Sequence, residues 1–421
     1  MLRRPSAAAW CAIALALATG AVGVRYNAWG VGGADSSGYA NQAELWLAGR
    51  LTTPLPLAAG APWPEPESAF APLGFRQALT PAAMVPTYPP GLPLALASVQ
   101  LVAGRTGTHL LVPALAALTV WLAFALGRRI QSRAAGLLAA AGVATSPILL
   151  RQATQIMSDV PAAAWWTAAL AIAYRGTARA AIASGLASAA AVLTRPNLVP
   201  ASLAVLALVL AVARLQSAAP GSRSTPARVR IAHAAWWLLG FLPGCLMVAV
   251  VHTVLYGSPL RSGYGSGGDL YNLANVLPNL HRYTSWLAET ESPILALALL
   301  AGFVAGRTRS TAHGPADAHE AWPLWPLLAF VILVVLSYLP YATFDDWWYT
   351  RFLLPALPAA FVLAAATIDS LAGRVGGRWR PALVAAIAAL VAWSSLASAR
   401  SLGSFRLAAN ERRYADVAHA L

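Results

Sequence analysis

GLPLALASVQLVAG, residues 91–104, is the stretch that decides the topology of this chain, because it carries no charge and yet is short. As a helix it would rise about 21 Å, against about 30 Å of hydrocarbon in a bilayer. Length alone does not settle whether it crosses, since the apolar runs 160–174 and 293–306 are also short. The arginines settle it. Those downstream fall in gaps holding Arg128, Arg129 and Arg133, then Arg175 and Arg179, then Arg214, Arg223, Arg228 and Arg230, then Arg307 and Arg309, then Arg374, Arg378 and Arg380. If 91–104 does not cross, every one of these gaps shares the cytoplasmic side with Arg3 and Arg4. If it crosses, they all move outside, against the positive-inside bias. The stretch is therefore expected to lie on or dip into the outer leaflet.

Working outward, eleven runs remain as crossings: 7–24, 108–126, 134–150, 160–174, 180–193, 197–213, 234–255, 293–306, 322–340, 352–371 and 381–398. The expected fold is an all-α integral membrane protein. Residues 1–398 form one polytopic domain whose long first outer loop, 25–90, bears interfacial helices, and 399–421 form a short outer tail. Composition agrees: 58% of the 421 residues are hydrophobic and 10% charged, whereas soluble domains carry about 25% charged residues. The apolar content excludes disorder. Two cysteines, Cys11 and Cys245, both inside apolar runs, exclude a disulfide scaffold. No A-x-A site precedes Arg25, so 7–24 reads as an uncleaved anchor. The net charge of +14 comes from arginines lying between apolar runs, as topology requires and nucleic-acid binding does not. Abundant alanine and the absence of lysine fit compositional drift in a GC-rich bacterial genome and carry no functional meaning; the expected location is the bacterial cytoplasmic membrane.

This topology carries most of the acids to the outer side, together with the polar loops 25–90, 256–292 and 341–351. Chemistry is expected to face outward. Asp35, in Asp35-Ser36-Ser37-Gly38-Tyr39, reads either as a helix cap or as a carboxylate held at the membrane surface to act as base or metal ligand. Tyr88-Pro89-Pro90-Gly91 suits a helix start and brings the Tyr88 hydroxyl beside the outer ends of the spans. Asp159, in Ser158-Asp159-Val160-Pro161, is again a cap or a second carboxylate beside Asp35, able to share a metal or to divide base and orienting roles. Arg195, in Thr194-Arg195-Pro196-Asn197, lies so near hydrocarbon that it either snorkels or meets an anion. Asp345-Asp346-Trp347-Trp348-Tyr349-Thr350-Arg351 reads as an interfacial aromatic belt or a sugar platform. His313, Asp317, His319 and Glu320 share a cytoplasmic loop and make a poor metal site. No zinc motif, phosphate loop or dinucleotide fingerprint occurs.

Taken in order and approximate spacing, Asp35 with Tyr39, Tyr88-Pro89-Pro90-Gly91, Ser158-Asp159-Val160-Pro161, Arg195-Pro196-Asn197 and Arg351-Phe352-Leu353-Leu354-Pro355 resemble the polyprenyl-phosphate-dependent membrane glycosyltransferases of the C superfamily. That group includes protein O-mannosyltransferases, lipid A aminoarabinose transferases and lipopolysaccharide core sugar transferases. The resemblance implies transfer of a sugar from a polyprenyl-phosphate donor to a glycan, lipid or protein acceptor at the outer face, by single displacement with inversion. It implies catalytic roles for Asp35 as base and Asp159 in the same cavity. It also implies substrate contacts for Tyr39, Tyr88, Arg195, Asp345, Asp346 and Arg351, the two arginines on the lipid phosphate. Ser36 departs from the second acid that O-mannosyltransferases have there, and the chain stops at Leu421 without the further domain of many relatives. A divalent ion is compatible with this chemistry and not demanded by it. Two other classes fit the composition: a multi-span lipid or solute transporter, and a noncatalytic scaffold. The first would be favoured by mid-span charges or internal repeats, neither of which occurs.

Overall fold

The structure is a computed structural model, and it describes residues 6–64, 66–217, 225–301, 322–375 and 377–420. It is mostly helical. Helix α1 (Ala7–Arg25) starts behind Ser6, whose hydroxyl accepts from the Ala9 amide. The first loop then holds α2 (Ala34–Leu47), the short helices α3 (Pro56–Ala59) and α4 (Pro66–Phe70), and three strands, β1 (Thr53–Pro54), β2 (Phe75–Gln77) and β3 (Ala83–Pro86). The strands pair antiparallel in the order β1-β3-β2, with Thr53 opposite Met84 and Phe75 opposite Pro86. The all-α expectation needs this correction. Strands of two to four residues are too short to print an alternating pattern in the sequence.

Helix α5 (Gly91–Ile130) is broken at Gly104, whose φ of 67° and ψ of −176° no helix contains. Glycine tolerates that φ without a Cβ penalty. The two ends of 91–104 lie at the same end of the bundle. A Cβ on Gly91 would stand 2.5 Å from the backbone of Leu193 and Thr194, and the carbonyl of His109 accepts from Asn27, just past α1. The chain continues through α6 (Arg133–Thr145), α7 (Pro147–Gln152), α8 (Asp159–Ala173), α9 (Ala178–Thr194), α10 (Ser202–Ser217) and α11 (Pro226–Tyr256). Helices α12 (Gly267–Leu270), α13 (Val276–Thr290), α14 (Trp325–Tyr338), α15 (Leu357–Val375), α16 (Arg380–Ser401) and α17 (Leu407–Ala420) follow.

Among the described residues six helices are long and apolar enough to cross a membrane: Ala7–Arg25, Gly91–Ile130, Pro196–Ser217, Ala227–Tyr256, Leu357–Arg374 and Gly377–Ser401. Three others, Arg133–Thr145, Ala178–Thr194 and Trp325–Tyr338, are apolar but shorter. The end of the run 293–306 lies outside the described residues, as do Glu65, Arg223, Arg307, Arg309, His313, Asp317, His319 and Glu320. Burial orders the helices. The apolar window of Leu357–Arg374 is 83% buried and that of Gly377–Ser401 only 22%, so α15 is the centre of the bundle and α16 its edge. Helices α9 and α11 approach through small residues: a Cβ on Gly185 would meet the Trp237 carbonyl, and one on Gly240 the Ile182 carbonyl. Such close approach lets dispersion attraction substitute for a hydrophobic drive that lipid does not supply.

The arginine-bearing gaps collect at the end away from Thr194. Arg129 Nε donates to the Tyr174 carbonyl at 2.8 Å, a His233 ring nitrogen bonds the Gly176 carbonyl, and Arg380 holds the buried Asp369 at 2.6 Å. Asp369 also accepts from Ser132, so α5, α6, α15 and α16 are tied together there.

Candidate active site

At the other end, a cavity of about 620 Å³ opens between α2, the α7–α8 turn, the end of α9, the 260–271 segment and the stretch from Tyr338 to Phe352. Of the eight side chains singled out from the sequence, Asp35, Tyr39, Arg195 and Arg351 line it, and Tyr88 and Asp159 stand behind the lining, bonded to Asp35 and Arg195.

Asp35 lies in the first turn of α2, whose N-cap is Gly33 without a side-chain cap. The helix-cap reading of Asp35 therefore falls away, because its carboxylate turns elsewhere. Oδ1 accepts from the Tyr88 hydroxyl at 2.9 Å, and Oδ2 accepts from Arg351 Nη2 at 2.9 Å. The side chain keeps 35% of its surface exposed, enough to meet a substrate. Gly38 makes this placement possible: a Cβ there would stand 2.1 Å from the Tyr88 ring, so only glycine lets α2 come so close. Burial, and after it the Asp35 charge, push the Tyr88 hydroxyl well above the ordinary tyrosine range. Tyr88 thus stays protonated and serves as a donor. Its ring also packs at 4.5 Å against that of Tyr39.

Asp159 is placed differently from the expectation of a second cavity carboxylate. It is fully buried, does not line the cavity, and makes an ion pair with Arg195 Nη2 at 2.5 Å. The helix-cap reading fails here as well, since Ser158 is the N-cap of α8. Arg195 donates further to Tyr338 Oη at 2.7 Å and to Ser158 Oγ at 3.3 Å. Tyr39 closes the network by donating to Ser158 at 2.9 Å. Burial raises the Tyr39 hydroxyl above its ordinary range, against the opposing charge of Arg195. Asp159 is thus the group that orients Arg195. The snorkelling alternative for Arg195 is also corrected, because its side chain is only 10% exposed and points into protein.

Asp345 and Asp346 are not brought to the cavity. Asp345 pairs with Arg282 at 2.6 Å on the surface, and both acids are exposed. The 3₁₀ helix Trp347–Leu353 follows, with Asp346 as its N-cap, and from it Trp348, Tyr349, Arg351 and Phe352 line the cavity. Of this stretch, the aromatics and the arginine reach the cavity and the two acids do not.

Arg151 was not singled out from the sequence. It sits at the end of α7, lines the cavity, and stacks its guanidinium 4.9 Å from the Trp348 ring centroid. Its Nε is buried with no hydrogen-bond partner, and among the described residues no carboxylate pairs with it. Helix α7 is held from behind by buried Glu291, which accepts from the Ile148 amide. A sequence signal existed, an arginine ending an apolar run, but other arginines share it. Tyr264 and Tyr341 were missed too. They enter from the 260–271 segment and from the end of α14, where Arg76 anchors the former by donating to the Gly263 carbonyl at 2.8 Å. In charge terms, Asp35 and Asp159 each have an arginine, and Arg151 is left as a surplus cation. Among the described residues no three His, Cys, Asp or Glu side chains gather where a metal could be held.

No protein-family model matches the sequence, and no curated protein matches it. Solved structures do match in shape. The aminoarabinose transferase ArnT from Cupriavidus metallidurans, solved with undecaprenyl phosphate, aligns at a TM-score of 0.53 and 13% identity over 96% of this chain and 75% of its own. The oligosaccharyltransferase AglB from Archaeoglobus fulgidus, solved with an inhibitory peptide and a dolichol-phosphate, aligns at 0.54 and 14% identity over 94% of this chain. The fold is the one these two proteins share. This chain spans only about 56% of the AglB length.

Proposed function

We propose that this protein transfers a sugar from a polyprenyl-phosphate donor to an acceptor hydroxyl at the outer face of a bacterial cytoplasmic membrane, with inversion. The observation that carries this reading is the Asp35 carboxylate, partly exposed on a cavity wall that also holds Arg151, Arg195 and Arg351. A phosphodiester is already ionised and leaves without help from an acid. What the reaction needs is a base for the acceptor and cations for the departing phosphate. Asp35 takes the acceptor proton while Tyr88 holds the carboxylate in place. Arg151 and Arg351 receive the phosphate; Arg195, whose bonds to Asp159, Tyr338 and Ser158 already engage three of its nitrogens, shapes the wall between them. The aromatic side chains Tyr341, Trp348 and Tyr349 offer faces for sugar rings.

The topology we propose has eleven crossings, with 91–104 returning to the side it left. The positions of Gly91 and His109 at one end of the bundle support it, as does the gathering of arginine gaps at the other. In a background lacking Cys11 and Cys245, cysteines at Gly60 and Gly267 should react with an impermeant thiol reagent on intact cells, and one at Ala227 should not. Labelling at Ala227 alone would turn the cavity toward the cytoplasm.

Arg151→Gln should raise the KM for the lipid donor by about tenfold or more, the worth of a charge-assisted hydrogen bond, and leave the acceptor KM nearly unchanged. An equal effect on both substrates would remove Arg151 from the phosphate. The transfer reading is tested directly by mass spectrometry of lipid extracts from a gene-deletion strain. A polyprenyl-phosphate-linked sugar should accumulate there and disappear on complementation. An unchanged lipid-linked sugar pool, with no turnover by the purified protein, would leave the fold without the function.

A further inference from the structure

The reaction proposed above moves one unit of negative charge from Asp35 to the departing phosphate, and one arginine on the cavity wall, Arg351, is already paired with Asp35. The donor is a phosphodiester with one negative charge, and Asp35 carries another. As the acceptor oxygen bonds to the anomeric carbon, its proton passes to Asp35. The carbon–oxygen bond to phosphate breaks, and its electron pair stays on the phosphate oxygen. Afterward Asp35 is neutral and the lipid phosphate is a monoester with two negative charges, since its second pKa lies near 6.

Arg351 is built for such a transfer of partners. Its Nη2 donates to Asp35 at 2.9 Å, but its other donors are poorly used: Nε is buried with no partner, and Nη1 meets only the Met157 sulfur at 3.9 Å. The rings of Tyr349 and Phe352, each with its centroid 5.3 Å from the guanidinium carbon, hold the plane of the group. The other two arginines differ. Arg195 is paired to an acid that does not line the cavity and so is not placed to take the acceptor proton. Arg151 has no carboxylate among the described residues, so its charge is available throughout and suits the single charge that the donor always carries.

Resting on the reading of Asp35 as base and a lipid phosphate as leaving group, we propose that Arg351 is handed from Asp35 to the phosphate as the proton moves, so that the ionisation of Asp35 governs how tightly the phosphate product is held. When Asp35 loses its proton to solvent, it recaptures Arg351 and the product loosens. Release is then coupled to restoration of the base.

The test is binding of polyprenyl phosphate to purified protein in nanodiscs at pH 8, where the lipid is a dianion. Asp35→Asn, uncharged like the protonated acid, should bind it about tenfold tighter than wild type, within the usual range of coupling between linked sites. In an Arg351→Gln background the same change should improve binding twofold or less, giving a clear interaction in the double-mutant cycle. Asp35→Ser is a second neutral variant should the asparagine protein not fold, and polyprenol without phosphate should show no change. Unchanged affinity in the Asp35 variants would overturn the proposal. So would a gain of equal size with and without Arg351, which reports only the removal of a repulsive charge. Absence of polyprenyl-phosphate binding in every protein, wild type included, would instead defeat the underlying reading of the site and this proposal with it.

Discussion

Asp35→Asn is expected to give a folded protein whose transfer rate is lower by two to four orders of magnitude, the usual contribution of a positioned general base. The substitution keeps the size of the side chain and its ability to accept from Tyr88, but an amide cannot take the acceptor proton. Stability should change little, since the carboxylate is partly exposed and caps no helix. The loss should appear in kcat rather than as a raised KM for the donor, because the base takes the acceptor proton in the transition state. The measurement is single-turnover transfer with the lipid donor saturating, beside a melting temperature for each protein. A well-folded Asp35→Asn protein turning over near the wild-type rate would remove Asp35 from the mechanism and take most of the case for a glycosyltransferase with it.

Asp159→Ala should act the opposite way, through stability. The Asp159–Arg195 pair is buried, with 0% and 10% of the side chains exposed. Taking away the acid strands a guanidinium in protein, which costs about 3–5 kcal/mol when one partner of a buried pair is removed. Ser158 and Tyr338 remain as acceptors but carry no compensating charge. A clear drop in the midpoint of thermal or denaturant unfolding is expected. Replacing both partners, Asp159→Leu with Arg195→Met, should recover most of it, because the pair as a whole contributes far less than its halves cost when separated. A loss of activity without any loss of stability in Asp159→Ala would return Asp159 to a direct role in the chemistry. An equally unstable double variant would mean that Arg195 is held mainly by Ser158 and Tyr338.

How much was legible without coordinates depended on whether a property belongs to a residue or to a pair. Membrane class is a sum over residues in a bilayer, so an apolar run and its flanking arginines report it locally. The same holds for the suspicion that 91–104 is a piece apart, which the backbone break at Gly104 makes physical. The ordered motifs carried the resemblance to a fold that shape comparison then supported at identities too low for sequence matching to find. Tertiary structure alone decided which charge meets which. Asp35 and Arg351 are 316 positions apart in the chain, and no periodicity encodes a contact at that distance. The burial of Asp159 behind Arg195, the exposure of Asp345 and Asp346, and the selection of Arg151 from among several outer arginines have the same origin. Each depends on the angle at which one helix end meets another, and a side chain's local sequence is silent on what lies across that gap.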